Sequence, residues 1–170
     1  MKRIIIVLTA AVFALSASAQ NEGYKFTDTK VVKVTPVGDQ ASSGTCWSFS
    51  GISFIESEIL RKGGPEVNLS EMYVVRHAYE ARAERYVRMH GHANCSAGGA
   101  FCDVMNVLRE NGIAPEEVYA GKNYGTDAHK HAELDAVVKA YVGAIAKAPM
   151  KTLSTAWKAG LAGIFDAYLG

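Results

Sequence analysis

The stretch QASSGTCWSF, residues 40–49, passes from a turn-forming segment into an apolar helix. Cys46 lies where this helix is predicted to begin, and Gln40 lies six residues before it. The unpaired N–H groups and the positive dipole end of a helix favour thiolate over thiol at such a position. A free cysteine is more often a buried apolar residue, but Gly44 and the Ser/Thr-rich approach favour an exposed turn. The pattern therefore predicts that Cys46 is a nucleophile for covalent catalysis.

Beyond this stretch, apolar residues recur at helical spacing and predict a mainly helical chain. The first helix is expected to begin near Cys46 and end before Gly63-Gly64-Pro65, and Ser70 is expected to cap the second. Alternating Lys and Val predict one short strand upstream, Lys30 to Thr35. The predicted inward residues are Ile52, Ile55 and Ile59 in the first helix; Met72, Val75, Tyr79, Ala83 and Tyr86 in the second; Phe101, Val104, Met105 and Leu108 in a third that ends at Asn111-Gly112; Leu134, Val137, Val138, Tyr141 and Ile145 in a fourth, from about Asp127 to Lys147; and Leu153, Trp157, Leu161, Ile164 and Phe165 in the last.

The first 19 residues have the composition of a secretory signal peptide. A basic start is followed by a short apolar run, Ile4 to Leu15, and then by the A-x-A site Ala17-Ser18-Ala19. The apolar run is too short to span a bilayer. We therefore expect cleavage after Ala19 and an exported protein, periplasmic or secreted, that is soluble and has no membrane association.

Charge and cysteine content exclude some classes of protein. Loss of Lys2 and Arg3 with the signal peptide would change the net charge from +1 to −1, which gives no indication of a nucleic-acid partner. The length fits one domain or part of a larger one. Three cysteines are too few for a disulfide framework, although a bridge between Cys95 and Cys102 stays open in an oxidising compartment.

From about Thr35 to Tyr124 the chain resembles the papain-like cysteine peptidases of the C1 family. The resemblance implies that Cys46 is the nucleophile, that Gln40 donates to the oxyanion, and that Trp47 packs beside the cysteine. It also implies that Gly98-Gly99 lines the cleft, where the absent Cβ lets an extended peptide substrate approach. Taken alone, Gly98-Gly99 is more simply a turn. The resemblance implies no metal and no cofactor.

Two features of this sequence differ from many secreted members of the family and bear on which branch of the family it resembles. Ser43 stands where many secreted members carry a cysteine, so Cys95 lacks that disulfide partner. The charged insertion between Leu69 and Gly98, with the exit at residues 112–115, resembles the bleomycin hydrolase and aminopeptidase C branch. That branch implies an aminopeptidase that forms a homo-oligomer.

The resemblance also implies residues that this sequence does not show. Papain-like chains carry a catalytic histidine and its orienting asparagine about 130–150 residues after the nucleophile, which here falls beyond Gly170. We therefore expect an α+β papain-like fold of which residues 20–170 supply the helical, nucleophile-bearing left domain, with the sheet-rich right domain missing. The chain by itself is then expected to be inactive as a peptidase.

Two other functions stay open. His90, His92, Cys95 and Cys102 could form a small metal-binding module, although their H-x-H-x₂-C-x₆-C spacing matches no common zinc signature. Alternatively, the chain could be a non-catalytic relative that binds peptides. Cys46 and Gln40 argue against that alternative, because binding alone needs neither.

Overall fold

The computed structural model describes residues 23–170, and the predicted signal peptide, residues 1–19, lies outside them. The described chain divides into two units, of which the first covers residues 23–31 and the second covers Val32–Gly170. In the first, the described residues 23–31 have no regular secondary structure. The second contains five helices, and among the described residues no helix is long and apolar enough to cross a membrane. The helices are α1 (Cys46–Arg61), α2 (Glu71–Arg88), α3 (Phe101–Asn111), α4 (Ala132–Ala146) and α5 (Ala156–Tyr168).

The ends of the first three helices follow from local chemistry. Ser70 caps α2 as predicted, since its hydroxyl accepts the Tyr73 N–H at 2.9 Å. α1 and α3 are followed by Gly63 and Gly112, which adopt φ of +81° and +79°. Glycine takes this left-handed conformation without the penalty that a Cβ brings. The predicted limits of α1, the predicted start of α2 and the predicted end of α3 are confirmed.

The core is built around α2, which packs against each of the other four helices. The face of α2 predicted to be apolar is buried, and Met72, Val75 and Ala83 are completely inaccessible to solvent. A helix buried along such a stripe is stabilised mainly by its packing rather than by its intrinsic propensity. The other helices contribute fully buried side chains to the same core, namely Ile52, Val104, Leu134, Val142 and Phe165.

Two predicted elements are wrong. Residues 30–35 form no strand. Their alternating valines are exposed, and a strand needs a partner to satisfy its backbone. The fourth helix begins at Ala132 rather than near Asp127, because the backbone of residues 129–131 is hydrogen-bonded to Ser42 instead of turning into a helix. His129 and His131 therefore precede α4, and His131 is its N-cap.

The extended structure in the described part of the chain is limited to two isolated bridges. One joins Ser42 to Lys130 and the other joins Leu69 to Pro115. This mainly helical architecture agrees with the helical left domain that the papain-like resemblance implies.

Candidate active site

A tight turn from Gly38 to Thr45 precedes α1 and places Cys46 as the first residue of that helix. The turn starts with an Asx turn, in which the Asp39 carboxylate accepts the Ala41 N–H at 2.8 Å. Two residues of the turn have positive φ, Ala41 at 45° and Gly44 at 66°. Cys46 is exposed at the end of this turn. Its position at the N-terminus of α1 is the one predicted for the nucleophile.

Ser43 connects the two ends of the turn. Its hydroxyl donates to the Gln40 carbonyl at 2.8 Å and shares a short hydrogen bond with the Thr45 hydroxyl. Both Ser43 and Thr45 are buried, so these bonds are shielded from competing water. At the position where the family commonly has a disulfide cysteine, this chain therefore holds Gln40 and the start of α1 together by hydrogen bonds.

The side chain of Gln40 has no internal partner among the described residues. Its Oε1 atom is buried without a hydrogen bond, and the amide makes none of the side-chain bonds found in this part of the protein. A primary amide has two N–H donors and one acceptor oxygen. The Gln40 amide is consequently available to a ligand rather than committed to the fold.

Trp47 links α1 to the loop that carries the glycine pair. Its indole Nε1 donates to the Ala97 carbonyl at 2.9 Å, and its ring is 6% exposed. A buried indole usually has such a partner for its single polar atom. Cys46 and the Gly98-Gly99 loop are thus held next to each other by the residue that follows the cysteine.

Arg82 secures the same loop, and the sequence analysis did not identify it. Its guanidinium lies 4.8 Å from the centre of the Trp47 ring and donates to the Ser96 carbonyl at 3.2 Å and to Asp103 Oδ2 at 3.0 Å. Asp103 Oδ2 also accepts the Ala100 N–H at the start of α3. The signal in the sequence was an arginine three residues after Tyr79, on the apolar face of α2, where an unpaired charge is costly.

The two glycines of the pair differ in their surroundings. A Cβ at Gly98 would meet no atom within 4 Å. A Cβ at Gly99 would clash with an Arg82 guanidinium nitrogen and would lie 2.6 Å from the Trp47 ring. Close packing inside the protein is therefore sufficient reason for glycine at 99, whereas Gly98 has open space beside it.

This difference predicts unequal effects of adding one methyl group. Gly99→Ala is expected to lower the free energy of unfolding by about 1–3 kcal/mol, the usual cost of overpacking, because Trp47 and Arg82 must move. Gly98→Ala is the matched control and is expected to change it by less than about 0.5 kcal/mol. Urea unfolding of both variants measures the difference, and equal destabilisation would contradict this packing explanation.

Glu56 is a second buried charged residue that supports this region and that was not predicted from the sequence. It lies in α1 and is 5% exposed. One carboxylate oxygen accepts the Thr35 hydroxyl at 2.6 Å, and the other accepts the Leu69 N–H at 2.8 Å. The segment before the turn and the segment before α2 are thereby both fastened to α1. Glu56 lies on the same side of α1 as Ile52, Ile55 and Ile59. Their spacing predicted an apolar core face and gave no indication of a buried carboxylate there.

Removing this carboxylate is expected to weaken the fold. Glu56→Ala loses two hydrogen bonds to a charged acceptor and leaves the Leu69 N–H unpaired, at a cost of about 3 kcal/mol or more in the free energy of unfolding. Glu56→Gln keeps an acceptor for Leu69 and offers an N–H to Thr35, so about 1 kcal/mol is expected. Thermal and urea unfolding compare the two, and an equal loss would mean that packing volume rather than hydrogen bonding matters here.

The buried histidines do not pair with Cys46. Both ring nitrogens of His131, and Nδ1 of His129, are buried without a hydrogen-bond partner. Burial lowers the pKa of His129, and it lowers that of His131 to about 4. No hydrogen bond joins Cys46 to a histidine among residues 23–170, so this part of the chain shows no assembled Cys–His pair.

All three cysteines are free, so the open question of a Cys95–Cys102 bridge is answered for this structure. Cys95 is half-buried, and burial raises the pKa of its thiol. Cys102 is exposed. Within residues 23–170, no three side chains of the metal-ligating types come together, and this includes the alternative set His90, His92, Cys95 and Cys102.

Comparison with known proteins agrees with the papain-like resemblance of the sequence. The family described as "Papain family cysteine protease" matches residues 23–160 of the chain. "Cysteine proteinase 1" of Entamoeba histolytica is 32% identical over 112 residues, which is 64% of this chain and 32% of that protein. Human "Cathepsin L2" is 34% identical over 87 residues, which is 51% of this chain and 23% of that protein. The chain spans about a third or less of the length of these curated relatives.

The family match covers the turn from Gly38 to Thr45, the loop with the glycine pair and four of the five helices completely. It therefore takes in every residue predicted for the site, from Gln40 to Gly99. The chain belongs to the papain family of cysteine proteases.

Proposed function

We propose that this chain supplies the nucleophile and the oxyanion donors of a cysteine peptidase. The observation that carries the proposal is the Ser43 hydroxyl, which bonds to the Gln40 carbonyl and to Thr45 and so fixes an uncommitted amide relative to an exposed cysteine at a helix start. The resemblance assigns roles to these two residues, and the turn explains how they are held together.

In the proposed mechanism, the Cys46 thiolate attacks the carbonyl carbon of a peptide bond. The oxygen gains the negative charge and accepts hydrogen bonds from the Gln40 amide and the Cys46 backbone N–H. The C–N bond then breaks, the amine leaves with a proton, and a thioester remains on Cys46. Water hydrolyses the thioester and releases the acid. The substrate is proposed to lie extended along the open side of Gly98.

The proton transfers require a general base, which we propose lies on residues beyond Gly170. Support comes from the absence of a Cys46–histidine hydrogen bond within residues 23–170 and from the share of the relatives' length that the chain spans. The 170-residue chain alone is then expected to be inactive toward peptides. Hydrolysis of a peptide substrate by this chain alone would refute that part of the proposal.

The reaction is proposed to be cleavage within a peptide chain. The similarity to cysteine proteinase 1 and cathepsin L2 favours this position of cleavage, and these relatives give no support to the bleomycin hydrolase branch. Aminopeptidase activity, with a homo-oligomer as its assembly, is the alternative inferred from the insertion after Leu69. Paired fluorogenic peptides decide between them, because an aminopeptidase cleaves only the peptide with a free amino terminus, whereas an endopeptidase also cleaves its acetylated twin.

Export of the protein rests on residues 1–19 alone. The basic start, the apolar run and the Ala17-Ser18-Ala19 site support it by composition. N-terminal sequencing of the protein recovered from outside the cytoplasm, starting at Gln20, would support the proposal, and retention of Met1 in a cytoplasmic protein would refute it.

Thiol labelling gives an early test that needs no peptidase activity. Iodoacetamide at mildly acidic pH is expected to modify Cys46 first. The first turn of α1 contains no acidic residue, whereas Asp103 stands beside Cys102 in the first turn of α3. Cys95 is protected by its burial and raised pKa. Peptide mapping by mass spectrometry measures the order, and faster modification of either other cysteine would contradict the assignment of the nucleophile.

A further inference from the structure

A pair of buried histidines lies directly against the nucleophile turn. His129 is 5% exposed and His131 is fully buried, while Lys130 between them is exposed. This alternation is typical of an extended segment, in which every second side chain faces the same way. Both imidazoles therefore face inward, and their ring centres are 6.2 Å apart.

The same segment holds the turn through its backbone. The Ser42 N–H donates to the His129 carbonyl at 2.9 Å, and the His131 N–H donates to the Ser42 carbonyl at 3.2 Å. Ser42 lies between Gln40 and Cys46, so the segment fixes the middle of the turn that carries both proposed functional groups. The His129 ring also packs on Phe49 of α1 with ring centres 5.6 Å apart.

Packing alone does not account for imidazoles at these two positions. Three of the four ring nitrogens are buried without a hydrogen-bond partner. Native proteins leave few buried polar atoms unpaired, since each costs free energy. Leucine or phenylalanine would fill the space without that cost. A property specific to histidine, namely its ability to gain a proton near neutral pH, would distinguish it from those residues.

We propose that His129 and His131 are positioning residues that form an acid-sensitive latch on the turn from Gly38 to Thr45. The proposal rests on the function proposed above for Gln40 and Cys46. While both imidazoles are neutral, the latch holds the turn closed. A proton on either ring places a charge in the buried space behind the turn, and the charge is relieved only when the segment separates from Ser42.

The direction of the effect follows from proton linkage. Burial, with His129 as a smaller contribution, lowers the pKa of His131 to about 4 from 6.5. The open state thus binds the proton more tightly than the closed state, and closure is favoured above pH 6.5 and weakens as the pH falls toward 4. From these two values, His131 alone should increase the open fraction roughly thirtyfold between pH 8 and pH 5.

The neighbouring charged groups act differently on this equilibrium. Lys122 lowers the pKa of His129 further, and Asp39 opposes it. The Tyr124 ring packs on His131, and its hydroxyl accepts the Lys130 N–H. The nearby carboxyl groups change the pH dependence of closure in the opposite direction, because burial raises the pKa of Asp135 and raises that of Glu71 to about 7. Those two groups favour the closed form as the pH falls. The contribution of the histidines therefore has to be measured by comparing the wild-type chain with a histidine variant.

Hydrogen exchange of the full 170-residue chain, followed by mass spectrometry, provides that difference. The peptide covering residues 38–45 reports the Ser42 N–H, and its exchange is corrected for the intrinsic pH dependence. The ratio of opening in the wild-type chain to opening in His131→Leu is expected to rise about thirtyfold from pH 8 to pH 5. His92→Leu, a change at an exposed histidine, should leave the ratio of wild type to variant constant.

Three results would overturn the latch. One is a wild-type to His131→Leu ratio that does not change with pH. Another is an equal loss of protection in α2, which would show global unfolding instead of local opening. His131→Phe, which keeps an aromatic ring beside Tyr124, replaces the leucine variant if that one does not fold. In the wild-type chain, a His131 ring that titrates at its ordinary pKa while Ser42 stays protected also refutes the proposal. None of these measurements depends on peptide hydrolysis, so failure of the latch is distinct from failure of the proposed function.

Discussion

Replacing Cys46 with alanine is expected to abolish peptide hydrolysis in the protein that also carries the proposed general base, while leaving its fold intact. The side chain is exposed, so its removal costs little packing. Without the sulfur no thioester forms, and kcat should fall on the order of 10⁴-fold or more, as when the nucleophile of a covalent mechanism is removed. Steady-state hydrolysis of a fluorogenic peptide, together with circular dichroism and thermal unfolding, measures both parts of this expectation.

Cys102→Ala is the matched control for that variant. Cys102 is also an exposed cysteine near the start of a helix, and it has no assigned part in the reaction. Its removal is expected to leave kcat within about twofold of the wild type, as for other exposed sites remote from the chemistry. Loss of activity in Cys102→Ala with retention in Cys46→Ala would reverse the assignment of the nucleophile.

The parts of the fold that could be predicted are those that local chemistry determines. The apolar stripe of α2, the Ser70 cap and the glycines that follow α1 and α3 all act within a few residues of their own position. The turn from Gly38 to Thr45 is also determined by local chemistry, because the Asx turn at Asp39 and the positive φ of Gly44 involve only residues of the turn itself.

The missed features depend on residues that are distant in sequence. Glu56 matters because Thr35 and Leu69 come to it from two other segments. Arg82 matters because Trp47 and Asp103 meet it from either side. A pattern confined to one helix shows such residues only as polar interruptions of an apolar face, without naming their partners.

The start of α4 was misplaced for the same reason. Residues 127–131 are compatible with a first helical turn when considered alone. Their backbone groups instead bond to Ser42, which is 87 residues earlier than His129 in the chain. This long-range pairing also moves both histidines from a helix surface into the space behind the nucleophile turn, where the acid-sensitive latch is proposed.

The second large effect is expected from Gln40. Gln40→Ala removes the amide donor proposed to meet the negative oxygen of the transition state. Such a donor is worth about 10²–10³ in kcat, because its hydrogen bond strengthens as the charge develops. KM should change little, since the neutral substrate carbonyl gains less from the same donor. The Gln40 side chain makes no hydrogen bond within the described part of the chain, so the unfolding temperature should stay near that of the wild type.

Iodoacetamide distinguishes an oxyanion role of Gln40 from an effect of Gln40 on the reactivity of the Cys46 thiol. Alkylation of Cys46 by iodoacetamide displaces iodide from a saturated carbon and forms no oxyanion, so Gln40→Ala should be alkylated at the wild-type rate. Ser43→Ala is the contrasting variant, because it releases both ends of the turn and should slow hydrolysis and also change the alkylation rate. Near-normal kcat in Gln40→Ala would refute the oxyanion role. Equal slowing of hydrolysis and alkylation would show instead that Gln40 acts through the position of Cys46, which makes it a support of the turn and not a donor to the transition state.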